Sequence, residues 1–307
     1  SRLQDADFTD ATLEDGCFDN TNCSMATFVA AVLTDSTFVN AALVGGKFTG
    51  AFLGNVDATG ADLSEAVLDE TTAEAIDLSD SILSQVSVRA SDLTAATLVD
   101  VSAQGLSLAG STLVGASMDD GTFSGADLAE AELTDVTATG ARFDGATLTE
   151  ATLTDALFQE AILTDATATG AVGADLDLTE AVLDGATLTA ATLTGAEFTG
   201  ASLRSTGCES ADLSGSTLTD ADWTGAVLTD ARLVGATGEG VRLDDADATG
   251  ASFERSRLTA ASLTGTTLTD ATLRDADLTG ASVEQATLDR ADLGAAVLTA
   301  ATIESTS

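Results

Sequence analysis

Large apolar residues recur along this chain at every fifth position. They read Leu3, Phe8, Leu13, Phe18, Cys23, Phe28, Leu33, Phe38, Leu43, Phe48 and Leu53, and continue in the same phase to Leu288, Leu293, Leu298 and Ile303. The phase holds over 61 positions without an insertion. Two residues before each lies a small residue, usually Ala, as in Ala126-Asp127-Leu128 and Ala211-Asp212-Leu213. Asp, Thr or Ser often stands between them, and Gly, Asp or Glu is common two residues after. A helix needs apolar spacings of three and four, and a free strand alternates at two. A strict five, with two inward positions and then a corner, fits neither. Four such corners bring the chain back over itself after twenty residues, so that each rung bonds the rung below at the ~4.8 Å spacing of neighbouring strands. The pattern predicts an all-β solenoid of square cross-section whose axis is filled by Leu and Phe.

Repeats such as Ala61-Asp62-Leu63-Ser64-Glu65 and Ala276-Asp277-Leu278-Thr279-Gly280 carry the signature A(D/N)LXX. In this the chain resembles the pentapeptide-repeat family over its whole length. The resemblance implies a right-handed quadrilateral β-helix. Four repeats per coil give about fifteen coils and a rod roughly 70 Å long.

Core volume offers a separate check. Ala58 follows Val56, Ala73 precedes Ile76, Ala103 lies between Val101 and Leu106, Ala138 follows Val136, and Gly173 precedes Leu176. Small central residues thus have larger neighbours at the small positions, as close packing requires. Trp223 and Gly238 fall within one coil and are expected to exchange volume. Phe8, Phe28 and Phe48 should stack on one wall, and Phe18 and Phe38 on the wall opposite.

Residues 1–307 show no proline, linker or break of phase, so a single uninterrupted repeat domain is expected. The chain is in phase at Ser1, so it is expected to be part of a longer protein, with flanking sequence or end-to-end pairing covering its open rungs. The uncharged run Val101 to Met118 keeps the fivefold phase and carries several Ser and Thr, which argues against membrane insertion. Nothing in the residues fixes a compartment, and the cytoplasm is only slightly favoured.

Charge changes the picture next. There are 50 Asp and Glu against 11 Lys and Arg, a net charge of −39. Such a chain has no electrostatic means of holding nucleic acid directly. In molar salt the Debye length falls to ~3 Å and carboxylate repulsion is screened, so the composition reads as adaptation of a halophile-like acidic protein, with monovalent cations as screening ions. There is no His, which removes the commonest general base and the Ser-His and Cys-His pairs. Cys17, Cys23 and Cys208 alone do not make a zinc site. No catalytic residue, cofactor or metal site is expected. Cys17 should point outward and Cys23 inward, which separates them as disulfide partners.

Five surface features stand out. The first is a low-charge girdle: between Asn20 and Val56 the only charged residues are Asp35 and Lys47, and outward positions carry Met25, Val29, Val32, Val39, Val44 and Phe52. Val32 and Phe52, twenty apart, should touch. We take Val29, Val32, Val39, Val44 and Phe52 as the candidate contact surface for a protein partner or self-association. The second is a set of carboxylate ladders, Asp80/Asp100/Asp120 and Asp135/Asp155/Asp175, which read as screened surface because a flat ladder does not converge on a cation. The third is a threonine stripe, Thr147/Thr149, Thr167/Thr169 and Thr187/Thr189, in which β-propensity suffices as the cause. The fourth is an arginine row, Arg232, Arg255 and Arg274, expected to neutralise Asp230, Asp275 and their neighbours. The fifth is overall charge density, about one negative charge per 1.8 Å against one per ~1.7 Å in duplex DNA.

Together these features point to a non-enzymatic rigid scaffold or protein-interaction rod adapted to high salt. The family resemblance implies an alternative, since some members mimic duplex DNA and bind a type II topoisomerase such as gyrase. Those members also carry terminal dimer modules or interrupting loops, which this sequence does not show.

Overall fold

The computed structural model describes residues 1–304, and among these there is no helix. The backbone repeats with the period of the sequence. Within each of two stretches of chain, a residue before a central position forms a parallel bridge with the residue twenty later, as in Arg2↔Asn22, Asn22↔Ala42 and Ala42↔Asp62. Two kinds of hydrogen bond join neighbouring coils. The Val32 N–H donates back to the Ala11 carbonyl (2.9 Å), and the Leu33 N–H donates forward to the Phe52 carbonyl (2.8 Å).

Corners follow a single rule. Every fifth residue from Asp5 to Ala300 has φ between +52° and +73°. At most corners the next residue's N–H closes the turn onto the central residue's carbonyl, as Ala6 does onto Leu3 (3.0 Å). A positive φ at the third residue of a closed four-residue turn is the type II geometry. Gly takes it without cost, and Asp and Asn tolerate it better than other residues. Forty corners are nevertheless not Gly, among them Ala30, Ala75, Ala90 and Ala95. The strain there is offset by the inter-coil bonds on either side, which fix the corner whatever residue occupies it.

Within each coil of twenty we number the walls one to four, at residues 1–5, 6–10, 11–15 and 16–20. The chain divides into two compact units, Ser1–Leu157 and Phe158–Ser307. In the first unit the bridges run without interruption to Thr137↔Leu157, and in the second from Ile162↔Val182 to Ser282↔Thr302. Both have the same interior: from Phe18 to Ala286 the central and small positions are buried and the residues between them face outward, while the first and last coils are only partly covered.

The expected aromatic stacks are present in the first unit. Phe8, Phe28 and Phe48 stack on the second wall at 4.9 and 4.8 Å. Phe18 and Phe38 stack on the fourth at 4.6 Å, and the two stacks meet edge to face across the axis. Such geometry suits the aromatic quadrupole. In the second unit Trp223 is fully buried, edge-on to Phe198 at 5.5 Å. A Cβ at Gly238 would meet Leu218 and Val241 at 3.1 Å, so the interior there has little room for a larger residue.

Ten hydroxyl-bearing residues are buried at the small position, and all but Ser81 donate to a backbone carbonyl. Ser36, Ser216 and Ser256 donate to the carbonyl three residues back. Ser91 instead accepts the Thr71 N–H (3.1 Å) and donates to the Leu68 carbonyl (2.9 Å), inserting itself into the turn below. A buried hydroxyl must find a partner of this kind or lose its hydration uncompensated.

Candidate contact surface and the acidic shell

The girdle residues are where the period places them. Val32 and Phe52 pair across the third wall, and Phe52 is 49% exposed. Val29 lies on the corner leading into that wall, half-buried. Asp35 lies on the corner leaving it and accepts a hydrogen bond from Asn55 Nδ2 (3.0 Å). Lys47 is exposed on the adjoining second wall. Val44 lies with the exposed Met25 at the corner between the first and second walls, where the Met25 N–H donates to the Val44 carbonyl (2.8 Å). Val39 belongs to the fourth wall. The five candidate residues therefore ring two coils, and only Val29, Val32 and Phe52 share one wall and its corner.

The acidic residues divide into kinds that the sequence pattern did not separate. An Asp just before the central residue folds onto its own turn. Asp62 Oδ1 accepts the Ser64 N–H (3.0 Å) and hydroxyl (2.6 Å), and Asp92 and Asp277 treat Thr94 and Thr279 likewise. This is an Asx turn, and it explains the sequence D-L-S/T. An Asp just after the central residue reaches the next coil instead. Asp69 accepts from the Ser87 hydroxyl (2.6 Å) and the Arg89 N–H (3.0 Å), and Asp184 from Ser202 and Arg204. Asp244 repeats this with Ser262 and Thr264. The signal was available as Asp followed eighteen residues later by Ser or Thr.

The Thr9 and Thr279 hydroxyls, with their N–H groups, hold the Asp7 and Asp277 carboxyls below the usual carboxylate range. At Asp69, desolvation acts upward, but the bonds from Ser87 and Arg89 outweigh it and the net shift is down. Corner acids form the expected ladders by register. Asp80, Asp100 and Asp120 share one corner column, and Asp135 and Asp155 another within the first unit. Among the described residues no group of three or more Cys, Asp or Glu converges to hold a metal ion.

The arginines pair otherwise than expected. Arg232 meets Asp212 (3.4 Å), Arg255 meets Glu254 (3.4 Å) and Arg274 meets Asp292 (3.0 Å), and of the expected partners Asp275 adds only a lesser attraction at Arg274. The partner lies one coil away for Arg232 and Arg274, because a side chain on a flat wall reaches its vertical neighbour more easily than round a corner. All three guanidinium groups are more than half exposed, so each pair contributes little. A second series climbs the first wall, with Asp222 between Arg204 (2.8 Å) and Arg242 (3.6 Å), and Arg242 also near Asp244 (3.4 Å). Of the threonine stripe, Thr167 and Thr187 pair in the second unit, and Thr189 donates to Glu209 (3.0 Å). Cys17 is exposed while Cys23 and Cys208 are buried, and all three are free thiols. Burial pushes the Cys23 and Cys208 thiols up. Two apolar voids of about 10 Å³, one in each unit, are lined by axial Leu, Phe and Val. Each has room for no more than one water.

A parallel solenoid with a twenty-residue coil, left-handed corners and an axis of Leu and Phe defines the class of quadrilateral β-helices. The chain belongs to the pentapeptide-repeat family: the family model, "Pentapeptide repeats", matches in eight copies over residues 47–85, 126–165, 173–206, 208–237, 239–275 and 276–307. Members of this family form right-handed quadrilateral β-helices and are in general structural or interaction proteins. Comparison with curated proteins finds no match. Among solved structures, the chain is similar to HetL, a pentapeptide repeat protein involved in heterocyst differentiation regulation from the cyanobacterium Nostoc sp. strain PCC 7120, at 23% identity over 90% of each chain with a TM-score of 0.28. It is similar to full-length QnrB1, a plasmid-mediated fluoroquinolone resistance protein, at 18% identity over 64% of this chain and 91% of that one, TM-score 0.29. A pentapeptide repeat protein of the Arabidopsis thaliana thylakoid lumen shares 29% identity over 35% of this chain and 66% of that one, TM-score 0.18. No helix among the described residues is long and apolar enough to cross a membrane.

Proposed function

We propose that this protein is a non-enzymatic, rigid scaffold or protein-interaction rod, one uninterrupted repeat domain of about fifteen coils, whose acidic surface suits it to concentrated salt. The observation that carries this reading is the assignment of side chains. Inward Leu, Phe and Val pack within each unit around voids of about 10 Å³, and many outward Asp residues are spent on turns and inter-coil bonds. Recognition then falls to the outer surface, where the girdle of Val29, Val32, Val39, Val44 and Phe52 combines low charge with exposed apolar side chains. Monovalent cations screen the rest.

The net charge of −39 favours a second reading. An acidic rod could occupy the DNA-binding face of a type II topoisomerase in place of duplex DNA. A supercoiling assay with gyrase, run in molar KCl with an enzyme active there, separates the two. Unchanged supercoiling at stoichiometric and tenfold excess protein is expected for the scaffold. Inhibition or protection at stoichiometric levels would establish the mimic instead.

A further inference from the structure

We infer that the corner between the second and third walls, at residues 68–71 and 88–91, is a two-state switch in which the Ser91 and Ser111 hydroxyls move between two hydrogen-bonded seats. The switch is a property of the coil itself and holds whichever partner the outer surface takes. Three observations carry it.

The first is an exchange of bonds. At ordinary corners of this column the turn is closed by backbone alone, as by the Ala31 N–H onto Phe28 and the Ala151 N–H onto Leu148 (both 3.1 Å). At residues 68–71 and 88–91 a hydroxyl from the next coil takes that place. The Thr71 N–H donates to Ser91 Oγ (3.1 Å), and the Ser91 hydroxyl donates to the Leu68 carbonyl (2.9 Å). One coil further on, the Ser91 N–H donates to Ser111 Oγ (3.0 Å), and the Ser111 hydroxyl to the Val88 carbonyl (2.5 Å). Thr71, Ser91 and Ser111 are all buried, so these groups satisfy one another rather than bulk water.

The second is that the same chain shows the other seat at equivalent positions. Ser36, Ser216 and Ser256 each give both N–H and hydroxyl to the carbonyl of their own closed turn. Thr206 and Thr266 stand midway. Each donates to the carbonyl of the turn below, Leu183 (2.9 Å) and Leu243 (2.7 Å), while Ala186 and Ala246 still close those turns. Moving Ser91 from the inserted seat to the Ser36 seat breaks two bonds and makes two. The Thr71 N–H returns to Leu68, and the Ser91 hydroxyl turns to Val88, whose carbonyl has a second lone pair. Equal bond counts leave the seats close in free energy, the condition under which a minor state is populated at about 0.1–10%.

The third is a latch on the outside of the same corner. Asp69 accepts the Arg89 N–H (3.0 Å) and the Ser87 hydroxyl (2.6 Å). The Arg89 carbonyl accepts the Glu70 N–H (2.9 Å) and shares the Ser91 hydroxyl (3.1 Å). The Arg89 peptide is thus gripped by a carboxylate outside and by the inserted hydroxyl inside. Latch and inserted seat fasten the same two coils, so Asp69 favours insertion. Thr71 leads into Thr72, the rung partner of Phe52, so a change of seat reaches the edge of the candidate contact surface.

The test is nitrogen-15 relaxation dispersion on the full chain, which reads the microsecond-to-millisecond exchange expected of a backbone rearrangement. The amide spectrum serves as the folding control. Dispersion is expected at the Thr71 and Ser91 amides and absent at Ala31 and Ala151. Ser91→Ala should silence Thr71 and leave the amide of residue 91 exchanging. Ser111→Ala should do the reverse, silencing Ser91 and sparing Thr71. Asp69→Ala should raise the minor-state population at Thr71 at least threefold. Flat profiles at both amides in the wild type overturn the inference. So does dispersion at Thr71 that survives Ser91→Ala or is indifferent to Asp69→Ala.

Discussion

At the residue scale, one position tests how strictly the interior is specified. Ser81 stands at a small inward position, fully buried, and its hydroxyl has no partner, unlike those of Ser36, Ser91 and Ser111. Most coils place Ala at the equivalent site. Ser81→Ala should therefore stabilise the protein by about 1 kcal/mol, the desolvation cost of an unsatisfied hydroxyl. The check is a raised midpoint in guanidinium titration, and a lowered midpoint would mean the hydroxyl has a role. Space is equally exacting next to the axial rings. A Cβ at Gly121 would lie 2.5 Å from Phe123 Cε2, so Gly there is dictated by the ring two residues on. The Trp223 indole N–H is also buried without a partner, which marks the ring as chosen for its volume.

At the scale of the coil, carboxylates act as fasteners. Asp7 and Asp277 hold their own turns, and Asp69 joins its coil to the next. Each has its carboxyl held below the ordinary value near 3.8. A group whose folded pKa is depressed adds stability above its unfolded pKa and loses it as pH falls through the folded value. The stabilising contribution should thus be complete at about pH 5 and lost progressively below about pH 4. Thermal melts from pH 6 to pH 2 should show a falling midpoint confined to the acid end. Asp69→Asn should flatten that fall, and an unchanged slope would show that the inter-coil bond adds nothing.

At the scale of the whole molecule, net charge sets the terms. With 50 acidic residues and 11 basic ones, the folded chain repels itself in dilute buffer. Its melting temperature should rise steadily between 0.1 and 2 M KCl. A flat response would remove salt adaptation as the reason for the composition. Because each coil contacts only its neighbours, stability is a sum of local terms. Ser81→Ala and Asp69→Asn, on adjacent coils, need not shift one common transition.

The sequence by itself determined the coil. A strict period of five leaves one register, and from that register alone follow the buried Leu and Phe, the aromatic stacks of Phe8/Phe28/Phe48 and Phe18/Phe38, the opposed directions of Cys17 and Cys23, and the pairing of Val32 with Phe52. The family signature added the handedness. Only the tertiary structure decided which neighbour a polar side chain takes. Asp62 and Asp69 are the same residue type at two outward positions, yet one folds onto its own turn and the other crosses to the next coil. Arg232 pairs with Asp212, a coil away, rather than with the nearby Asp230, and Gly238 lies close against Leu218 and Val241. The physical reason is that burial obeys a one-dimensional period, whereas a hydrogen bond or a void is settled by three-dimensional reach across neighbouring rungs, which no single stretch of chain encodes.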